Sequence, residues 1–427
     1  MDEFLSLNTE HALLGEHDSD ALAKAVQVFA NVEDGDLRLF KDLPENEEIL
    51  TQVEEVVHAL DTGALTHVLL VGIGGSSLGA RAVASAQQGL TRKLLVAETV
   101  SPYVTKEILQ TLQNEVKEMQ NLAVVVVSKS GTTTETAAHA GLFLSTLTER
   151  FGSIAGRVAV VTDEGSALAA LADKEGYKKL FIPKAVGGRY SVFSAAGLLP
   201  LALVGVSVRE LVGGARKARA AFLKEGVSSI AARYGASLAS YAKQGFRTHN
   251  LFVFEPSLED AGKWWRQLVG ESLGKDRDRG GNTIQTSILP SVSIGSTDLH
   301  SVGQLYLSGA PGIATTFVRV GVSADNDLVV PEESVAGALV PGLGGRTYTQ
   351  ILSAITEGTE RAYMEKKLAF MTLQLNGLSL GVVGAFMETQ MIAVALAGEL
   401  MGINAFDQPN VEDYKRHTRE ILNSQNQ

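Results

Sequence analysis

Two stretches carry most of the chemistry that residue type and spacing reveal. Val71 to Gly79 reads V-G-I-G-G-S-S-L-G. A Gly-rich turn between a strand and a helix presents backbone N–H groups at a helix N-terminus, which makes an anion site. Three readings stand. A dinucleotide cradle would make Glu98, at the end of the next apolar run, a ribose-binding acid. Ser77, however, occupies the place of the third glycine in G-x-G-x-x-G, so that fingerprint fails. Two serines suit a compact anion such as phosphate. A tight structural turn is the third reading.

The second stretch, Ser128 to Thr136, reads S-K-S-G-T-T-T-E-T. Thr132 and Glu135 have the spacing of a capping box. Capping takes one hydroxyl, and this segment offers six. Both loops follow short apolar runs and precede helical patterns. In an open α/β sheet the carboxyl edge of the strands is where ligands bind. The two loops therefore predict a phosphate pocket built from hydroxyls and amides.

The elements that must position these loops come from periodicity. Residues 1–60 read as helical. β-branched runs then occur at 68–71, 94–97, 123–127, 158–162 and 180–182, spaced as βα units are. Near-continuous apolar strands are typical of parallel sheets covered on both faces. Residues 61–190 thus read as a doubly wound α/β domain. A helical connection over 191–245 follows. Strands resume at 251–254, 287–294 and 315–320, with a helix around Ala261 to Leu273, as a second, less regular α/β domain. Residues 348 to about 402 read as helical, and the tail after Gln408 is polar.

Composition excludes several classes. Thirty-seven Lys and Arg against 48 Asp and Glu give a net charge of −11, which attracts neither nucleic acid nor an anionic membrane. There is no cysteine, so disulfides, thiol catalysis and Cys-held metals are excluded. The eight histidines show no metal-ligand spacing. The N-terminus lacks the pattern of a signal peptide. Ser191 to Val208 and Leu368 to Met387 are long and uncharged, but Pro200, Gly197, Gln374 and Asn376 make them core segments. A cytoplasmic enzyme without a metal or other cofactor is expected.

Further motifs narrow the chemistry. G-G-R-Y-S spans Gly187 to Ser191, G-E-S-L-G-K-D spans Gly270 to Asp276, S-T-D-L-H-S spans Ser296 to Ser301, and F-D-Q-P-N-V-E-D-Y-K spans Phe406 to Lys415. Taken singly, Glu271 would be a surface charge, His300 structural and Lys415 solvated. The two loops resemble those of sugar isomerase (SIS) domains, which hold phosphosugars. With the four further motifs in this order, the chain from about residue 65 to 416 resembles the glucose-6-phosphate isomerase family, and its shorter bacterial members most.

The resemblance implies two SIS-type α-β-α sandwich domains with parallel sheets, plus helical terminal segments. The divisions would be 1–60, 61–190 (phosphate loops), 191–245, 246–387 and 388–427. It implies reversible interconversion of glucose 6-phosphate and fructose 6-phosphate by ring opening and enediol proton transfer, a step of glycolysis and gluconeogenesis. Gly75, Ser76, Ser128, Lys129, Ser130 and Thr133 would hold the phosphate region of the substrate. Ser77 and Thr132 are less firmly implied. Glu271 would be the base and Arg189 the cation beside the enediolate. His300 and Lys415 would open the ring, and Gln408 would bind sugar hydroxyls or water. It further implies a homodimer whose sites are completed across the interface by the partner's histidine. A non-catalytic SIS regulator would keep the loops without needing Glu271, Arg189 and Lys415. An isomerase that also accepts mannose 6-phosphate is the other alternative.

Overall fold

A computed structural model describes residues 3–14, 19–31, 35–284, 287–322 and 327–424. In these residues the strands are β1 (Leu5–Asn8), β2 (His67–Val71), β3 (Lys93–Ala97), β4 (Leu122–Val127), β5 (Val158–Thr162), β6 (Lys178–Phe181), β7 (Thr248–Val253), β8 (Leu289–Ile294), β9 (Ile313–Val320) and β10 (Phe370–Leu375). The first sheet has the order β3-β2-β4-β5-β6 and is wholly parallel. Every residue of β2, β4 and β5 is buried, which is why these strands are runs of Val and Leu rather than alternating patterns.

The second sheet has the order β8-β7-β9-β10-β1. Its first four strands are parallel and β1 is antiparallel at the edge. Pro290 lies in β8, the opposite edge, where the missing N–H interrupts no ladder between two neighbours. In the first sheet β2 has β3 on one side and β4 on the other, and in the second β7 has β8 on one side and β9 on the other. The chain leaves β2 towards β3 and β4 towards β5, and likewise leaves β7 towards β8 and β9 towards β10, so the switch points fall between β2 and β4 and between β7 and β9.

The α/β class and the parallel sheets agree with the sequence expectation, and two strands do not. Residues 1–60, read as helical, begin with β1. Residues 348–402, read as helical, contain β10. L-S-L-N alternates over only four residues, and its pairing partner lies at the other end of the chain. In β10 the run F-M-T-L-Q-L is parted from the next helix by Asn376-Gly377, a turn signal that a helical reading of 348–402 passes over.

That helix, Leu380–Leu400, is long and apolar enough to cross a membrane by length alone. It is instead the central core helix, with its most apolar window wholly buried. It also runs through the expected division at 387. It packs against the helices Val208–Glu225 and Ile230–Lys243. The approach needs glycine: a Cβ on Gly214 would lie 1.8 Å from the Gly381 carbonyl oxygen, and one on Gly384 would lie 1.9 Å from that of Leu211. Trp264 and Trp265, both buried, fix the helix Glu259–Leu273 to the same core.

Candidate active site

Strands β2 and β4 are neighbours, so the loops that follow them lie side by side at the carboxyl edge of the first sheet. Each loop leads into a helix, Leu78–Ala86 or Thr134–Phe151. Ser77 and Thr133 occupy their N-cap positions, yet neither makes a side-chain cap bond. Elsewhere Ser166, Ser207, Ser229 and Ser379 cap their helices in the ordinary way. Helices begin with unsatisfied N–H groups. In these two helices the cap side chains leave those groups unbonded, which is the arrangement of an anion site.

The hydroxyls are arranged accordingly. Ser128 Oγ and Thr133 Oγ1 are 3.0 Å apart in a hydrogen bond. Ser130 Oγ accepts from the Thr132 N–H at 3.2 Å and from the Thr132 hydroxyl at 3.3 Å. The capping box that Thr132 and Glu135 could have formed does not exist, because the cap is Thr133. Ser76 ends a short 3-10 turn, half-buried.

Three polar groups of this region point elsewhere. Lys129 donates to the carbonyls of Lys184 at 3.0 Å and Val186 at 2.8 Å. Its ammonium therefore holds the next loop. Ser77, fully buried, donates to Glu98 at 2.5 Å. Glu98 also pairs with Arg81, so it is no free acid for a ribose.

The Gly-rich loop touches the G-G-R-Y-S turn directly. A Cβ on Gly75 would lie 2.3 Å from the carbonyl carbon of Gly188, so only glycine allows the approach. Arg189, which follows, is buried. Its Nε donates to Ser272 Oγ at 2.8 Å. One terminal nitrogen donates to Glu271 Oε2 at 3.0 Å and to Gln408 Oε1 at 2.9 Å. The other donates to the carbonyls of Ala405 at 2.6 Å and Asp407 at 3.1 Å. These five bonds match the five N–H groups of a guanidinium. Ser272 also bonds the buried Tyr190 hydroxyl at 2.9 Å, and burial raises the pKa of that phenol.

Glu271 lies near the end of the helix Glu259–Leu273 and is one-third exposed. Its other oxygen accepts from Gln267, one turn earlier, at 2.9 Å. Gln267 in turn lies against Gly74 of the Gly-rich loop, 3.1 Å from where a Cβ would be. Lys275 is buried and donates to the Glu271 carbonyl at 2.8 Å and to the Asp407 carbonyl. It also pairs with the Asp407 carboxylate at 2.9 Å. Burial holds its pKa below the ordinary lysine value, against the pull of Asp407. Gln267, Ser272, Lys275 and Asp407 escaped the sequence reading. The signal for Gln267 was its i−4 spacing from Glu271, and the other three stood unused inside quoted motifs.

Arg189, Glu271 and Gln408 thus meet in one place, with Gly75 and its loop packed against the turn that carries Arg189. His300 and Lys415 are not joined to them by any hydrogen bond or ion pair among the described residues. His300 ends a 3-10 turn beyond β8 and is exposed. Lys415 lies on the helix Val411–Ser424 and pairs with Glu412 at 2.8 Å. A cleft of about 1370 Å³ on the second sheet, lined among others by Glu255, Tyr348 and Asn376, shares no residue with this constellation.

Two Gly- and hydroxyl-rich loops on one carboxyl edge, with an arginine–carboxylate pair packed against the first of them, define an α/β protein of parallel sheets with a candidate anion site at that edge. The phosphoglucose isomerase family model matches residues 40–427. A glucose-6-phosphate isomerase from Symbiobacterium thermophilum is 33% identical, over 89% of this chain and 86% of that one. One from Exiguobacterium sibiricum is 33% identical over 96% and 93%. A crystal structure of a hypothetical protein from Thermus thermophilus superposes with a TM-score of 0.87 at 32% identity, covering 98% and 99%. That of a glucose-6-phosphate isomerase from Chlamydia trachomatis shares the fold, with a TM-score of 0.78 at 23% identity over 98% and 81%. The chain belongs to the phosphoglucose isomerase family.

Proposed function

We propose that the chain interconverts D-glucose 6-phosphate and D-fructose 6-phosphate, an aldose–ketose isomerisation. The observation that carries this reading is the Arg189–Glu271 pair at 3.0 Å, tied through Gly75 and Gln267 to the Gly-rich loop. A protein that only bound phosphosugars would need the loops and have no use for the pair.

The phosphate rests on the hydroxyls of Ser76, Ser128, Ser130 and Thr133, on the Gly75 backbone and on the free amides of the two helix starts. Ring opening moves the O1 proton to the ring oxygen, with His300 and Lys415 as the acid–base groups. Glu271 then takes the C2 proton. The C–H electron pair becomes the C1–C2 double bond, and the carbonyl pair moves onto O1. Glu271 returns the proton to C1, while the O2 proton passes to the O1 oxyanion, so that O2 becomes the carbonyl and O1 a hydroxyl. One carboxylate serves both steps because C1 and C2 are adjacent on one face of the enediol. Arg189 acts by its charge, since its N–H groups are already engaged. Gln408, exposed and bonded to Arg189, is placed to exchange that bond for a sugar hydroxyl.

The working unit is a cytoplasmic homodimer in which the partner supplies the histidine. This accounts for His300 being exposed and apart from the other groups on its own chain. The test is a coupled assay of purified protein with fructose 6-phosphate, then with mannose 6-phosphate. Binding without turnover of either sugar would leave the regulator reading in place.

A further inference from the structure

Ser77, Glu98 and the helix Leu78–Ala86 form a bridge away from the hydroxyls of the phosphate cradle. The helix packs along the helix Glu259–Leu273, which carries Glu271. Arg81, one turn after Ser77, stands between two carboxylates. One terminal nitrogen donates to Glu98 at 2.5 Å and the other to Asp260 at 2.9 Å. The free oxygen of each acid is also taken. Ser77 donates to Glu98 at 2.5 Å, and Ser85 donates to Asp260 at 2.7 Å. Lys263 lies 3.3 Å from Asp260. The side chains of Arg81, Glu98 and Asp260 are 28%, 21% and 15% exposed, so solvent screens them only in part.

We infer that Arg81 is a positioning residue that sets the distance between the phosphate cradle and the base. The inference rests on the isomerase reading. Ser77 closes the Gly-rich loop, and Asp260 lies in the first turn of the helix whose last turn carries Glu271. Eleven residues at about 1.5 Å each put Glu271 about 16 Å along that helix from Asp260. A tilt or slide at the Arg81 end is therefore delivered to the carboxylate. The substrate needs this spacing to be fixed, because its phosphate is on C6 and its reacting carbons are C1 and C2. Misplacement by about 1 Å costs on the order of 10²-fold in rate.

The test uses two inhibitors of different reach on the full-length enzyme. Inorganic phosphate occupies the cradle alone. 6-Phosphogluconate, an open-chain acid, spans the cradle and the base. In Arg81→Met the Ki of 6-phosphogluconate should rise about tenfold and kcat should fall about 10- to 100-fold, while the phosphate Ki stays within about twofold. Arg81→Lys should recover part of both losses. Asp260→Asn, which retains a polar partner for Ser85, should give the same pattern in weaker form and serves if Arg81→Met does not fold. Equal shifts of both Ki values, or no shift in either with kcat unchanged, would overturn the inference. Absence of turnover in the wild-type enzyme would refute the function itself, a separate outcome.

Discussion

The guanidinium of Arg189 is 3.0 Å from the Glu271 carboxylate, with the arginine side chain 1% exposed and the glutamate 33%. The arginine is locked in place by the chain around it, and the glutamate faces the solvent from which substrate arrives. A fixed charge next to an accessible base is the arrangement that enediolate chemistry needs, because it requires little reorganisation as charge develops.

Glu271→Gln keeps the shape and one acceptor oxygen for Arg189 but removes the base, and its NH2 can bond Gln267 only if that amide turns its oxygen inwards. General-base catalysis is worth about 10²–10⁴ in rate, so kcat should fall by at least that order with KM little changed. In deuterated water the wild type should place deuterium at C1 of fructose 6-phosphate and the variant should not. Near-normal turnover with normal exchange would remove Glu271 from the mechanism.

Arg189→Lys preserves the charge and loses the fork. Five donors to Ser272, Glu271, Gln408, Ala405 and Asp407 become three at most. A hydrogen bond to a charged group is worth about 1.5–3 kcal/mol, so losing at least two of them should lower the Tm together with kcat. A variant with unchanged thermal stability would show that the five bonds contribute little.

The double change Ser128→Ala and Thr133→Ala removes the hydroxyl pair at 3.0 Å. It should raise the KM for fructose 6-phosphate more than it lowers kcat. An unchanged KM would mean that the phosphate lies elsewhere.

Subunit mixing tests the shared site. Glu271→Gln and His300→Ala should each be nearly inactive, and mixed dimers should regain one intact site of two, about a quarter of wild-type activity at statistical exchange. If the histidine acted on its own chain, mixing would restore nothing.

Two buried groups contribute to the pH dependence of stability. Glu388, in the core helix, has both carboxylate oxygens without a hydrogen-bond partner among the described residues, and burial raises its pKa well above 4.5. Folding keeps it protonated, so its contribution is full below pH 4.5 and is lost as the pH rises. Glu388→Gln should stabilise the protein in urea at about pH 8, with the gain shrinking towards pH 4.5. His249 is buried with Nε2 bonded to Thr316 at 2.8 Å, and burial lowers its pKa to about 3. It stays neutral in the fold, so stability should fall as the pH drops from 6.5 towards 3. Denaturation midpoints across about pH 3–9 check both.

Local pattern determined a large part of this protein. Each of the eight apolar runs read as a strand is one, within a few residues, because a buried parallel strand is written in consecutive β-branched residues. The two loops were legible because hydroxyls and glycines at the ends of such strands have few other uses. Pairing at long range was not legible. β1 is only four residues long and β10 sits in a long uncharged segment, and their pairing with each other joins the two ends of the chain. Tertiary structure also decided which polar groups face the site. Nothing in the two loop sequences says that Lys129 turns to Val186, that Thr133 leaves its helix uncapped, or that Ser77 serves Glu98. Arg189 meets Glu271 across 82 residues and Gln408 across 219. The spacing of a motif fixes what its own turn or helix can present. Contacts over such separations arise only when whole sheets and helices pack, and packing is what places the charge against the base.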